Sequence, residues 1–198
     1  MLFTILVSAL LVAVDQILKL LAARYLAPVG SAPLIPGIIG LKYVENRGAA
    51  FNILDGMQGL LIVVTGAALL FGAWLLLFRR PKDKLEYTAI LLLFAGGVGN
   101  LIDRIARGYV VDYLNLLFMR FAVFNFADCL VCIGFALLVV AVFRAEGRAQ
   151  KQKKLAAAQA GAGEAAPTVG ALPGSVSDDA SEAAPKNDAP AGQADAED

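Results

Sequence analysis

Asp112 and Asp128 stand sixteen residues apart in a chain whose first 145 residues are otherwise almost wholly apolar. Asp112 lies in YVVDYLN, just beyond one apolar span, and Asp128 in FNFAD, at the mouth of the next. A carboxylate near hydrocarbon is costly to desolvate, and ionisable groups in a membrane are functional candidates by default. The chain has no histidine, so acid–base chemistry falls first to carboxylates. Two carboxylates held close resist ionising together: one keeps its proton as general acid while the other, ionised, acts as base on water. That division activates water against an amide without metal, nucleophile or histidine. The pattern points to a membrane-embedded enzyme of the aspartyl type.

Other chemistries find fewer parts. The serines of residues 1–154 are Ser8, deep in the first span, and Ser31, in a loop, and neither has an obvious partner base. A metalloprotease helix of the HExxH kind cannot occur without histidine. Cys129 and Cys132 form a lone CxxC inside an apolar run. Structural zinc needs four ligands, so the two thiols read as small, polarizable helix-packing groups.

The elements that must carry the aspartates follow from hydropathy. With 59% hydrophobic residues and a mean hydropathy of +0.68 over 198 residues, the chain exceeds a soluble domain of this length. The formal net charge of zero averages two unlike parts: residues 155–198 carry one base, Lys186, and eight acids, whereas residues 1–154 are net +7. Nothing in this pattern points to nucleic acid. Four runs suit a bilayer-spanning helix: Leu2 to Leu26 with Asp15, Gln16 and Lys19 inside it, Met57 to Phe78, Leu85 to Ile105, and Phe121 to Phe143. At about 1.5 Å per residue the uncharged second run covers roughly 33 Å, enough to cross.

Basic residues cluster in RRPKDK between spans two and three and again after span four, at Arg144, Arg148, Lys151, Lys153 and Lys154. The positive-inside rule puts both clusters, and so both termini, in the cytoplasm. Arg104, Arg107 and Arg120 are scattered against two dense clusters and do not reverse that orientation. The first run lacks a basic leader and reads as a retained helix rather than a cleaved signal peptide. The outer loop, residues 27–56, is rich in Pro, Gly and β-branched residues, with short extended runs such as Leu41–Glu45, and suggests a small β-structured element on the membrane surface. The expected organisation is an all-α membrane protein: four transmembrane helices in residues 1–146, and an acidic, disordered cytoplasmic tail in residues 147–198.

In this topology polar side chains from four parts of the chain reach one level of the bilayer. Asn125 and Asp128 share a face of span four, and Asn100, Asp103 and Arg104 share one near the outer end of span three. Asn46 and Arg47 lie in the outer loop. Each has a plainer reading. Asp15 and Lys19, four apart on span one, read first as a pair neutralising each other, with site-shaping as the alternative. Asp103 pairs with Arg104 or Arg107. Gly96, Gly97 and Gly99 permit close helix packing, and Gly48, Ala49 and Ala50 let a backbone approach. Tyr109, Tyr113, Phe118, Phe121 and Phe124 form an interfacial belt. A proton-conducting bundle would spread its acids over bilayer depth, and Asp15 alone suits it. An assembly scaffold would use its carboxylates only as interhelical glue and tolerate Asp→Asn changes.

Five segments, VDQILK at 14–19, ENRGAAF at 45–51, GGVGNLIDR at 96–104, VVDYLN at 110–115 and FNFAD at 124–128, together resemble the bacterial lipoprotein signal peptidases (signal peptidase II). The resemblance covers roughly residues 5–145. It implies an aspartic endopeptidase of the bacterial cytoplasmic (inner) membrane. Such an enzyme removes the signal peptide of a prolipoprotein just before a cysteine carrying diacylglycerol, with no metal or cofactor. By that likeness Asp112 and Asp128 are the catalytic dyad, and Asn46 and Arg104 hold the substrate backbone or the developing oxyanion. Asn100 and Asn125 position polar groups around the dyad, and Asp15 shapes the site. The likeness also implies contact with membrane lipids and inhibition by cyclic peptides such as globomycin. Within such a site the outer loop would serve as a lid.

Overall fold

A computed structural model describes residues 2–48, 56–81 and 83–163 of the chain. The disordered tail expected over residues 147–198 is corrected in its first part: residues 147–163, rich in Ala, Lys and Gln that favour helix, continue the fourth helix. The rest of that tail from residue 164, Lys82 of the basic loop, and residues 49–55, with Ala49, Ala50 and part of the expected lid, lie outside the described residues.

Four apolar stretches form helices long enough to cross a bilayer. Helix α1 spans Leu2–Leu21 and runs on as a π-helical turn, Ala22–Leu26; α2 spans Gln58–Trp74, with a similar turn at Leu75–Arg79. Helix α3 spans Lys84–Arg107 and α4 Phe126–Gly163. The ends of α3 are written locally. Asp83 caps its N-terminus by accepting from the Leu85 N–H at 2.8 Å, and Gly108 closes its C-terminus in the left-handed conformation, φ 78°.

Strands β1 (Ser31–Ile35) and β2 (Ile39–Asn46) form a hairpin in the expected β-structured loop, and β3 (Val110–Leu116) pairs antiparallel with β2. The third strand was not legible in the sequence. YVVDYLN reads as the flank of an apolar span, and nothing local says that β2 offers it a free edge. Its pairing is set at long range, with Val44 opposite Asp112 and Asn46 opposite Val110.

The fourth helix also starts later than hydropathy suggests, at Phe126 rather than Phe121. Phe124 bonds back to Leu114 through both its N–H and its C=O, at 3.0 and 2.7 Å, so the chain just before the helix is tied to the sheet's edge at this one residue. Backbone groups paired this way cannot also enter the helix.

All three strands fall where α1 and α3 end and α2 and α4 begin, so the sheet sits at one end of the bundle. Val111 and Tyr113 on β3 pack with Ala22 and Leu26 of α1 in one core cluster, and Leu76, Ile90 and Leu91 make another between the helices. Tyr113 thus leaves the expected aromatic belt: it is buried, and its hydroxyl accepts from the Phe126 N–H at 3.3 Å. Alternation along β3 turns its ring away from Asp112 and into the core.

The glycines of α3 act as expected. A Cβ at Gly96 would strike the Ala127 carbonyl and Val131 on α4, one at Gly97 would meet Leu69 on α2, and one at Gly99 would meet Asp15 on α1. Small residues at these points let the backbones approach.

Candidate active site

Asp112 sits mid-strand on β3 and is 1% exposed. Its neighbour across the sheet is diagonal: Asn46 faces Val110, two residues away and therefore on Asp112's side of the sheet. Asn46 Nδ2 donates to Asp112 Oδ2 at 2.9 Å, while its Oδ1 accepts from the Gly48 N–H at 3.0 Å. Acceptance from the Gly48 N–H by Oδ1 fixes which end of the Asn46 amide meets the carboxylate.

Asp128 lies in the first turn of α4, and its partner there is Asn125. Asn125 Oδ1 accepts from the Asp128 N–H at 2.9 Å, and Asp128 Oδ2 accepts from the Asn125 N–H at 3.0 Å. This reciprocal pair is a capping box. It corrects the expectation that Asn125 lies within the helix on one face with Asp128. Asn125 precedes the helix and closes its first turn, because the three-residue spacing serves an N-cap as readily as a helical face.

Two amides join the aspartates. Asn125 Nδ2 donates to Asp112 Oδ1 at 2.6 Å and to Asn100 Oδ1 at 3.2 Å. Asn100 Nδ2 donates to Asp128 Oδ1 at 2.7 Å. Asn46, Asn100, Arg104, Asp112 and Asp128 then line one cavity of about 360 Å³, walled otherwise by apolar groups such as Val110, Phe121 and Val131. Arg104 bonds the Gly48 carbonyl at 3.2 Å and the Asn100 carbonyl at 3.4 Å, and its buried Nε has no partner among the described residues. Such a cavity offers a cationic donor and two carboxylates to one small polar group and a water.

A model of the family described as Signal peptidase (SPase) II matches residues 7–144. The chain belongs to the signal peptidase II family. Among its relatives, the lipoprotein signal peptidase of Streptococcus pyogenes serotype M2 is 39% identical over 137 residues, which cover 69% of this chain and 90% of the relative. That of serotype M5 is 38% identical over the same shares. Two solved structures of a bacterial membrane enzyme, obtained by the in meso method at 2.3 and 1.9 Å resolution, are each 31% identical in sequence. They superpose with TM-scores of 0.67 and 0.64, covering 72% and 71% of this chain and 88% and 92% of theirs. The chain is a multi-pass membrane peptidase.

The remaining expected site residue of this peptidase, Asp15, reaches the same region from behind. Its Oδ1 accepts from the Ala127 N–H at 3.0 Å, and Oδ2 meets Lys19 Nζ at 2.9 Å, with both side chains fully buried. Lys19 also meets Asp103 at 3.2 Å and donates to Asn100 Oδ1 at 2.8 Å. The expectation that Asp103 serves a basic neighbour holds for Arg107, at 2.8 Å, and Asp103 pairs across to α1 as well. Lys19 was legible only as half of an i,i+4 pair, since its reach to α3 is a fact of helix packing. Cys129 and Cys132 are free thiols that also line the cavity.

Burial first, and then the charge of Asp128, push the Asp112 carboxyl up from its ordinary 3.8 to about 6, against the hydrogen bonds of Asn46 and Asn125. A carboxyl raised on folding contributes stability that is present below pH 4 and lost as the pH climbs through 6. At 1.36 kcal/mol per pH unit the loss is about 3 kcal/mol. Asp112→Asn, which never ionises, is therefore expected to gain on the wild type between pH 4 and 7.5, by about 3 kcal/mol at most. Thermal unfolding in detergent at both pH values checks this. A difference independent of pH would show that Asp112 ionises freely.

Proposed function

We propose that this peptidase removes the signal peptide from diacylglyceryl-modified prolipoproteins, cutting just before the lipidated cysteine, with Asp112 and Asp128 as an aspartic dyad. The observation that carries the proposal is the amide-linked approach of two carboxylates in one cavity, a buried one from a strand and a half-buried one from a helix N-terminus. The ionised aspartate takes a proton from water as its oxygen adds to the scissile carbonyl. The protonated aspartate gives its proton to the carbonyl oxygen. The tetrahedral species collapses when the nitrogen of the lipidated cysteine receives a proton and the C–N bond breaks. The pair shares its protons and titrates as a unit.

Arg104 stands beside both aspartates and is suited to hold the substrate backbone or the oxyanion. Asn46, Asn100 and Asn125 orient the carboxylates in the resting site, and Asp15 shapes it by holding the Ala127 N–H. Arg79, Arg80 and Lys84 at one connection, and Arg144 to Lys154 after the apolar part of α4, favour a cytoplasmic location for that end. Both termini then lie inside, and the sheet and cavity lie near the outer face. A substrate with two acyl chains and an apolar signal helix is itself a membrane species, and its scissile bond would lie at that level. A cyclic peptide of the globomycin type would compete for the same cavity among membrane lipids. The reaction calls for no metal or cofactor.

The test is cleavage of one prolipoprotein by the purified chain with and without the diacylglyceryl group. Release of the signal peptide from the modified form, and at least about 10²-fold slower release from the unmodified form, is expected. Equal rates would remove the lipid from recognition. No release from verified substrate would remove the peptidase reading, and proton flux in liposomes would then be measured.

A further inference from the structure

Behind the dyad lies a cluster of which only Asp15 and Asn100 have a part in the reading above, and Lys19, Asp103 and Arg107 have none. Lys19 Nζ is wholly buried and contacts Asp15 at 2.9 Å, Asp103 at 3.2 Å and Asn100 Oδ1 at 2.8 Å. Arg107 completes the charge balance by pairing with Asp103 at 2.8 Å. Neutralisation alone would explain two of the three Lys19 contacts. It does not explain where the two carboxylates spend their other bonds. Asp15 accepts from the N–H of Ala127, the residue before Asp128, and Asp103 accepts from the N–H of Val111, the residue before Asp112, at 3.2 Å.

The third contact sets an orientation. An ammonium only donates, so the end of the Asn100 amide facing Lys19 must be its oxygen. The nitrogen is thereby turned to Asp128. A reversed amide would set NH₂ against NH₃⁺ and a carbonyl against a carboxylate. Asn125, whose Nδ2 is shared between Asn100 Oδ1 and Asp112 Oδ1, takes its orientation in part from the same oxygen.

We propose that Lys19 is a positioning residue of the peptidase: one buried ammonium on α1 fixes the polarity of the Asn100 amide and, through it and two carboxylates, the placement of both Asp112 and Asp128. This rests on the dyad reading above. Lys19 touches neither the cavity nor the substrate, and its effect is confined to how the aspartates are presented.

Removing Lys19 alone strands a buried charge and endangers the fold. The decisive variant is therefore Lys19→Met with Asp15→Asn. It deletes one charge of each sign, leaves Asp103 with Arg107, and keeps an amide oxygen for the Ala127 N–H. A second variant, Asn100→Asp, keeps the acceptor facing Lys19 and replaces the donor facing Asp128. Both are assayed in detergent on lipid-modified prolipoprotein beside Asp112→Asn and Asp128→Asn, with thermal unfolding of each.

The expected result is a kcat about 10²-fold lower in both, with KM within about threefold of wild type. Wild-type kcat in the folded double variant, or in Asn100→Asp, overturns the assignment while the aspartate variants stay inactive. If the aspartate variants themselves turn over normally, it is the dyad reading that fails. A rise in KM at unchanged kcat would make Lys19 a determinant of substrate binding and would also overturn the proposal.

Discussion

Asparagine in place of either Asp112 or Asp128 is expected to lower turnover of lipid-modified prolipoprotein by about 10³-fold or more, with the chain still folded. An amide can neither accept a proton from water nor deliver one to the carbonyl oxygen, so each change deletes one half of the chemistry. The halves depend on each other, and the double variant should be no slower than the worse single one. The fold should survive because the lost charges are the costly part of the site. Asp112 is 1% exposed and its carboxyl sits at about 6, so its neutral isostere relieves repulsion at neutral pH. As Asn, each residue keeps one acceptor oxygen, enough for one of the two donors that face it. The measurement is signal-peptide release against time, with unfolding temperature recorded for each protein. Normal turnover by either variant removes that residue from catalysis.

The second large effect is expected at Asn125, which no charge-based search would rank first. Four bonds meet on it: its N–H and Oδ1 close the capping box with Asp128, and its Nδ2 reaches Asp112 and Asn100. Asn125→Ala should cost about 1 kcal/mol as a lost cap. It should also cost about 10²-fold in turnover, because both aspartates lose an orienting partner. Asn125→Asp separates the two effects. Its carboxylate still caps α4 and preserves the unfolding temperature, but it sets a carboxylate in place of the donor facing Asp112, so turnover should fall as far as in the alanine variant. If Asn125→Asp instead works at the wild-type rate, the residue is a helix cap and nothing more.

Much of this architecture is written in local sequence. The four membrane helices are legible because hydropathy over about twenty residues is a one-dimensional signal that burial in lipid requires. The β-structured element in residues 27–56 is legible from its Pro and Gly punctuation and β-branched runs. The aspartates stand out because a carboxylate beside hydrocarbon has a cost that function must justify. The motifs around them sufficed to indicate the family.

What the linear sequence could not supply was pairing at long range. β3 exists because β2, some seventy residues earlier in the chain, offers it an edge in register. α4 begins at Phe126 because Phe124 is spoken for by Leu114. The three-residue spacing of Asn125 and Asp128 suits a helix face and a capping box equally, and only the start of the helix decides between them. Lys19 looked satisfied by Asp15 four residues away. Its contacts with Asn100 and Asp103 depend on how α1 lies against α3, where Gly99 lets the backbones close. Sequence named the charged residues because desolvation acts on each of them singly. Tertiary structure decided their partners, because a hydrogen bond needs two groups within about 3 Å, and that distance is set by packing.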